Sequence, residues 1–320
     1  MKKIALAVSV AGAAAFAATA SAQTYSIGTN PQGSLFYAAG AAIAKLMVEK
    51  TGLQFRVQPY AGSSTYLPLI NAGKLAFGMA NGAEAYYAYS GAELFRQPSP
   101  NLRQVGNTFD TSSGFAVAMD SPIKTLADLK GKKVPIEYTS GRIFHFLSNA
   151  LLNTEGLTNK DLNGVPTPNF ITGAKLLMAG RADAAYFPLN TAIAKQANAT
   201  IKGGIRYVKM GCTADTKAKI KQIVPAATLG MARPGKNATA VVEDPTCFIN
   251  VMFTVVTGKH VPEDVVYNLV KTMYANKPAL AKSLGAFNRW NPKNMAEEHP
   301  NPYHPGAIKA YKELGIWQGK

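Results

Sequence analysis

The chain has 320 residues, of which 47% are hydrophobic and 16% are charged, and its formal net charge is +16. This hydrophobic content supports a packed core, and a chain of this length forms one or two domains. The basic residues are scattered without a block of five like charges, and the 28 glycines and 19 prolines follow no period, which excludes a basic tail and a collagen-like chain.

The first 22 residues have the pattern of a secretory signal peptide. Lys2 and Lys3 precede an apolar run at 4–18, and the motif Ala-Ser-Ala at 20–22 is a small-x-small cleavage site. A membrane anchor is the weaker interpretation, because the run is short and rich in alanine and a bilayer needs about 20 apolar residues. We predict cleavage after Ala22 and a soluble mature protein in the periplasm.

Export limits which partners the positive net charge can attract and which redox states the two cysteines can have. An exported protein rarely meets nucleic acid, so we expect no nucleic-acid partner. A diffuse positive field can steer anionic solutes, or it can serve solubility alone. In an oxidising compartment Cys212 and Cys247 form a disulfide or remain two separately buried thiols. The sequence leaves both pairs of alternatives open.

Strands alternate with helices from the start of the mature chain. Apolar residues recur at helical spacing after Ser34, which is a plausible N-cap, and Gly52 is suited to end that helix. The first series of predicted elements comprises strands at 25–28, 55–58 and 75–80 and helices at 35–47, 65–72 and 83–89.

The same rhythm starts again near Val134. The second series comprises strands at 115–119, 134–138, 182–187, 229–233 and 247–256 and helices at 142–153, 171–178, 262–282 and 305–314. This alternation predicts an α/β protein with two lobes, each a doubly wound, mostly parallel sheet. We assign residues 24–118 and 249–320 to one lobe and residues 119–248 to the other, with a ligand cleft between them.

Three loops rich in Gly, Ser and Thr each follow a strand and precede a helix. Helix N-termini carry unpaired N–H groups and a positive dipole end, so anions bind there, and ligands of open α/β sheets lie at the carboxyl ends of strands. Such a loop is also an ordinary helix cap, but three in equivalent places favour a shared site. The candidate binding residues in these loops are Asn30, Gln32, Gly33, Ser34, Leu35, Tyr37, Gly62, Ser63, Ser64, Thr139, Ser140, Gly141 and Arg142.

A few further side chains are candidates for the same site. The guanidinium of Arg142 could hold a carboxylate in a bidentate manner, or it could be an ordinary surface group. Tyr138 and Tyr186 could stack on an apolar part of a ligand or belong to the core. Asn81 and Asn190 follow strands and could donate hydrogen bonds in the cleft.

Enzyme signatures are missing from the sequence. There is no G-x-S-x-G, P-loop, G-x-G-x-x-G or H-E-x-x-H motif, and the four histidines are too dispersed for a metal site. We therefore predict no enzymatic activity, no cofactor and no metal. An enzyme on the same architecture would need a base, for which Glu84, Glu137 and His145 are the nearby candidates.

Several segments resemble one family of solute receptors. Residues 27–46, from Ile-Gly-Thr-Asn-Pro-Gln-Gly-Ser onward, are similar to the opening motif of the TAXI family, the receptors of tripartite ATP-independent periplasmic (TRAP) transporters. Residues 61–78, 125–134, 173–187 and 304–315 resemble later motifs of that family in the same order.

The resemblance implies a type II periplasmic binding fold that closes by hinge motion on a carboxylate-bearing ligand, such as an amino or organic acid. It also implies docking of the receptor onto TRAP-type membrane permease subunits, and we expect the receptor to be a monomer. Asn30, Pro31 and Gln32 stand where the family has more glycine, and Arg142 stands where it has a hydroxyl, which favours a dicarboxylate, an aromatic acid or a larger anion. The alternative function is a two-lobed ligand sensor that docks on a signalling partner.

Overall fold

The computed structural model describes residues 23–235, 240–241 and 245–319. The predicted signal peptide at 1–22 lies outside these residues. Within them, no helix combines the length and the apolar character that crossing a membrane requires.

The first half of the sheet is parallel and alternates with helices, as predicted. Strand β1 lies between β2 and β3, and Ile27 of β1 is in register with Val57 on one side and Phe77 on the other. The elements of this part are β1 (Thr24–Thr29), α1 (Leu35–Thr51), β2 (Gln54–Pro59), α2 (Ser63–Asn71), β3 (Phe77–Asn81) and α3 (Gly82–Ser90).

Two long strands lie next to each other in the middle of the sheet. Strands β4 (Leu102–Ala118) and β10 (Thr246–Gly258) pair antiparallel with each other. The end of β10 also pairs with β3, and its start pairs with β9 (Thr228–Ala232). The end of β4 pairs with β7 (Ala185–Pro188) and β8 (Ile205–Tyr207). Every antiparallel pair among the described strands thus involves β4 or β10, which connect the two halves.

The second half repeats the strand–helix rhythm. A separate parallel pair is formed by β5 (Lys133–Tyr138) and β6 (Asn163–Thr167). The helices of this second half are α4 (Ile143–Asn153), α5 (Phe170–Met178), α6 (Ala192–Thr200) and α7 (Ala214–Ile223). We call the part around β1–β3 the first lobe and the part around β5–β8 the second lobe. The predicted lobe boundaries stay a prediction, because β4 and β10 belong to both parts.

The prediction of one helix at 262–282 is wrong. The segment forms α8 (Glu263–Ala275) and α9 (Lys277–Ser283), which are separated at Asn276. Pro278 causes the break, since a proline inside a continuous helix lacks an N–H donor and clashes with the carbonyl four residues earlier. After the break Pro278 lies in the first turn of α9, where it is tolerated. Helix α10 (Pro305–Glu313) ends the described fold.

Cys212 and Cys247 are joined by a disulfide. Cys212 precedes α7, and Cys247 lies at the start of β10. The backbone N–H of Cys247 also donates to the carbonyl of Met210 at 3.0 Å. Of the two alternatives that the sequence leaves open, the structure has the bridge, which ties the segment before α7 to a strand shared by both lobes.

Candidate functional site

First-turn residues of three helices face one small cavity between the lobes, which we call the inner cavity. Leu35 and Phe36 come from α1 in the first lobe, whereas Ile143 of α4 and Phe170 of α5 come from the second. Its volume is about 20 Å³, and one water molecule needs about 10–15 Å³. The lobes are therefore closed on a space for roughly one water-sized group.

The wall of the inner cavity is mostly aromatic and aliphatic. The rings of Phe36 and Phe253 meet edge-on with centroids 4.3 Å apart, and those of Phe144 and Phe170 are 4.7 Å apart. The other apolar lining residues are Leu35, Ile143, Leu147, Pro188 and Val251, and the polar ones are Asn30, Ser34, Asn81, Thr111 and Ser113. None of these described lining residues carries a formal charge.

Polar atoms at the inner cavity lack partners. Asn30 and Ser113 are 3% and 1% exposed, and neither Asn30 Oδ1 nor Ser113 Oγ has a hydrogen-bond partner in the part of the chain that the structure describes. Leaving a buried polar group unpaired costs about 1–3 kcal/mol. A solute that brings a matching polar group into this cavity would remove that cost.

Two tyrosine hydroxyls next to the cavity are also buried and unpaired among the described residues. The rings of Tyr138 and Tyr186 pack against Phe144 at centroid distances of 5.9 and 6.1 Å. Burial raises the pKa of both hydroxyls, so they stay protonated and can donate. Ser113 is near enough to Tyr186 to oppose part of its pKa shift, although the two hydroxyls do not reach hydrogen-bond geometry.

Two hydrogen bonds join the lobes around the closed cavity. Asn169, the N-cap of α5, donates from Nδ2 to the carbonyl of Ala61 at 2.9 Å. Arg142, the residue before α4, donates from Nη1 to the carbonyl of Leu94 at 2.6 Å. The exposed Arg142 is therefore turned toward the first lobe and does not line the inner cavity, and its predicted grip on a carboxylate stays a prediction.

Backbone atoms of the two lobes also touch. A Cβ atom built on Gly62 would overlap the carbonyl oxygen of Ser140 in the opposite lobe. Gly33, with φ of 93° in the left-handed region, faces Ile171 of α5. These glycines let the loop backbones approach, so their place in the structure is at the closure surface between the lobes.

The second loop is closed by a carboxyl group of the protein itself. Ser63 and Ser64 donate from their hydroxyls to the two carboxyl oxygens of Glu84 at 2.5 and 3.0 Å. Burial raises the pKa of this fully buried carboxyl from 4.5 to about 7, and the two serine hydrogen bonds oppose the shift. Because both serines lie in the first turn of α2, Glu84 occupies the place where the prediction puts a solute anion.

The amides of the third loop are also engaged within the protein. The N–H of Thr139 donates to the carbonyl of Thr167 at 3.1 Å, and those of Ser140 and Gly141 donate to Pro168 at 3.0 and 2.9 Å. This loop therefore positions α4 against the start of α5, and the predicted donation of its amides to a solute is not what the structure has.

A second, wider space lies beside the inner cavity and shares lining residues with it, and we call it the outer cavity. Its volume is about 990 Å³, and Leu35 and Thr111 line both cavities. The outer cavity is lined by Leu35, Asp110, Thr111, Ser112, Leu189, Asn190, Lys195, residues 230–235, Asn250, residues 284–286, Asn288 and Arg289. Small-molecule sites have volumes of about 300–1,000 Å³, so the two cavities together can hold a solute larger than water.

The sequence matches one protein family over almost the whole described chain. The NMT1-like family matches residues 27–315. The chain belongs to the NMT1-like family.

Solved structures share the fold of this NMT1-like protein at low sequence identity. One described as a periplasmic transporter is 15% identical, with 92% of this chain and 93% of that chain covered and a TM-score of 0.56. PhnD1 from Prochlorococcus marinus MIT 9301, in complex with methylphosphonate, is 11% identical, with 92% and 98% covered and a TM-score of 0.55. The alkanesulfonate-binding protein SsuA from Xanthomonas axonopodis pv. citri, bound to MOPS, is 15% identical, with 91% and 90% covered and a TM-score of 0.50. The predicted fold class is confirmed.

The structure brings together some of the predicted site residues of this NMT1-like protein. Asn30, Ser34, Leu35 and Asn81 line the inner cavity, and Asn190, with a left-handed φ of 62°, lines the outer cavity. The predicted residues that line neither cavity are Gln32, Gly33, Tyr37, Gly62, Ser63, Ser64, Tyr138, Thr139, Ser140, Gly141, Arg142 and Tyr186.

The two long strands also contribute to the wall of the inner cavity, which the loop residues alone do not predict. Thr111 and Ser113 of β4 and Val251 and Phe253 of β10 line the inner cavity. The run Asp-Thr-Ser-Ser at 110–113, polar residues inside an otherwise buried strand, is the sequence signal that could have indicated them.

Proposed function

We propose that this NMT1-like protein is a periplasmic solute receptor that closes its two lobes on a small anionic solute without chemically changing it. The observation that carries the proposal is the inner cavity, where first-turn residues from both lobes lie around the buried and unpaired hydroxyl of Ser113, which can donate to an anion. A solute in this place contacts both lobes at once, and such differential contact favours the closed form.

Helix N-termini supply the attraction for a negative charge. Leu35 and Phe36 are the first two residues of α1, and their N–H groups have no acceptor within their own helix. Phe170 has the same position in α5. The positive dipole ends of α1, α4 and α5 add to these donors. A carboxylate therefore suits the inner cavity, although its described wall carries no side-chain cation.

The contacts of the closed form fit capture and release. The bonds Asn169–Ala61 and Arg142–Leu94 link backbone of one lobe to a side chain of the other, so they break when the lobes separate. Each intramolecular hydrogen bond contributes about 0.5–1.5 kcal/mol. Such modest contacts let closure depend on the solute.

Catalysis suits this site less well than solute binding does. A general acid or base must lie within hydrogen-bond reach of its substrate, and none of the described lining residues of the inner cavity titrates. Of the candidate bases, Glu84 is bonded to Ser63 and Ser64, and neither Glu137 nor His145 lines either cavity.

Delivery to TRAP-type membrane subunits is the finer part of the proposal. It rests on the sequence resemblance of residues 27–46 and the four later segments to TAXI receptors. The periplasmic location rests on the signal-peptide pattern at 1–22, and the fold is consistent with it. A receptor of this kind needs no cofactor and meets its permease as a monomer carrying a small anionic solute.

A thermal-shift screen tests the receptor proposal. Amino acids, organic acids, phosphonates and sulfonates would be added to the mature protein, and a bound solute at a hundredfold excess over its dissociation constant should stabilise it by about 2.7 kcal/mol. The substitution Ser113→Ala should abolish or weaken this shift, whereas the exposed Ser90→Ala should not. Stabilisation by metal cations alone, or an acid shift that Ser113→Ala leaves intact, contradicts the proposed site.

A further inference from the structure

The outer cavity collects positive charge from both lobes. Lys195 belongs to α6 and Arg233 follows β9, whereas Arg289 follows the 3-10 turn at 285–288 beside the first lobe. Among the described lining residues Asp110 is the one carboxylate that faces these three cations. An anion placed there would be attracted by cations from three separate segments of the chain.

The cationic region begins next to the inner cavity. The guanidinium of Arg289 donates from Nη2 to the backbone carbonyl of Asp110 at 3.3 Å. Thr111, the next residue of β4, lines both cavities, and Ser113 lines the inner one. Because a strand rises about 3.3 Å per residue, Asp110 and Ser113 are roughly 10 Å apart along β4. The two regions are separated by the length of one small elongated molecule.

Among the described lining residues of the outer cavity, cations outnumber carboxylates. Burial raises the pKa of Asp110, and the nearby Arg289 opposes this shift. Even when Asp110 is ionised, the described lining of this cavity has three cations and one carboxylate. The three cations carry like charges, so an anion placed among them would lower their mutual repulsion.

A residue with a further unpaired polar atom lines this space. Asn250 of β10 lines the outer cavity, and its Oδ1 is buried without a partner among the described residues. Its side chain packs directly on the backbone of Gly230, where a Cβ atom would overlap it. Asn250 is thus held in place at the side of the cavity that carries Arg233.

We infer that the solute is an elongated dianion, with one charged group at the helix N-termini of the inner cavity and the other among Lys195, Arg233 and Arg289 of the outer cavity. This inference rests on the proposed receptor function and names its substrate class. It gives the second anionic group a different partner from Arg142, whose guanidinium is bonded to Leu94. The cations also link the solute to both lobes, so the second charge favours closure as well as binding.

Matched acids separate the two charges experimentally. Isothermal titration calorimetry would compare succinate with butyrate, adipate with hexanoate, and suberate with octanoate, each pair having the same chain length. We expect at least one dicarboxylate to bind at least tenfold more tightly than its monocarboxylate, with a steeper loss of affinity as salt is added.

Variants locate the second charge. Arg289→Gln and, from the other lobe, Lys195→Gln should each remove most of the dicarboxylate advantage, because each should lower dicarboxylate affinity much more than monocarboxylate affinity. Arg181→Gln, an exposed arginine that lines neither cavity, should change neither. The unliganded melting temperature of each variant controls for folding, and Lys195→Gln decides the matter if Arg289→Gln does not fold.

The outcomes separate this inference from the function on which it rests. If acids bind but no dicarboxylate exceeds its monocarboxylate, the dianion is wrong and the receptor stands. If the advantage survives in both Arg289→Gln and Lys195→Gln, the second charge lies elsewhere and the inference is again wrong. If neither these acids nor those of the thermal-shift screen bind, the proposed function itself is contradicted.

Discussion

The loop at 28–34 and the loop at 61–64 both leave a parallel strand of the first lobe and enter a helix through glycine and serine. The first loop brings Asn30 and Ser34 to the inner cavity, where Asn30 Oδ1 is buried and unpaired within the described chain. In the second loop the hydroxyls of Ser63 and Ser64 are bonded to Glu84.

The difference between the loops comes from what lies opposite each helix start. Glu84 is the third residue of α3, three positions after the N-cap Asn81, and it reaches the first turn of α2. Its carboxyl supplies the anion that α2 attracts, whereas α1 has no such internal partner among the described residues. Similar loop sequences thus line a cavity or bind an internal carboxyl group, according to a residue about twenty positions away.

The largest effect that tests this comparison is the pH dependence caused by Glu84. Its pKa is raised from 4.5 to about 7, so the folded state binds this proton more tightly than the unfolded chain. This stabilisation of about 3 kcal/mol is fully present below pH 4.5 and is lost as pH rises through about 7. In Glu84→Gln this loss should disappear, so the variant gains stability relative to wild type between about pH 4.5 and pH 8 in urea unfolding.

A control isolates the contribution of Glu84. Burial lowers the pKa of His299 to about 4, so His299 destabilises the fold as pH falls, in the opposite direction. This contribution is common to wild type and variant and cancels in their difference. Glu155→Gln, which changes an exposed carboxylate, should follow the wild-type curve. If the unfolding free energies of Glu84→Gln and wild type change in parallel with pH, burial does not raise the pKa of this carboxyl.

The next effect distinguishes a closure surface from a solute surface. Gly62 has extended backbone with φ of −178°, so alanine fits its conformation, but the added Cβ overlaps the Ser140 carbonyl of the other lobe. Overpacking of this kind costs about 1–3 kcal/mol, so Gly62→Ala should weaken solute binding by roughly 5- to 150-fold. The unliganded melting temperature should stay within error, because the open form removes the overlap.

Calorimetry with the acid that gives the largest thermal shift measures this loss. Gly211→Ala is the matched control, since the nearest atom to its Cβ would be Thr213 Cγ2 at an ordinary 3.8 Å. Equal affinities of the Gly62→Ala and Gly211→Ala proteins would mean that the lobes do not meet at Gly62 when the solute is bound.

Much of the fold follows from local sequence signals. Ser34 caps α1 by accepting from the N–H of Tyr37, and Gly52 ends that helix with φ of 72°, both as predicted. Residues 102–114 of β4 are missed, because Gly106, Asn107 and the polar run at 110–113 do not have the pattern of a strand. This strand is stabilised by pairing with β10, more than a hundred residues later, which local propensity does not contain.

The site is less predictable than the fold for the same physical reason. The sequence identifies helix starts, and the first turns of α1 and α5 do face the inner cavity. It does not tell which amides are already used, and those of Thr139, Ser140 and Gly141 are occupied by the loop before α5. Nor does it bring Arg289 near Asp110, since that contact joins segments 179 positions apart.

The smallest effect compares one serine from each loop. Ser34→Ala removes the N-cap bond to Tyr37, which should cost about 1 kcal/mol at every pH, because no titrating group is involved. Ser63→Ala removes a bond that favours the ionised form of Glu84, so its cost should be small at about pH 5 and should increase as Glu84 loses its proton. Urea unfolding across this range measures both costs. A cost of Ser63→Ala that stays flat with pH would mean that its hydroxyl does not serve the ionised carboxylate, and the contrast between an open and an internally closed loop would then lose its electrostatic basis.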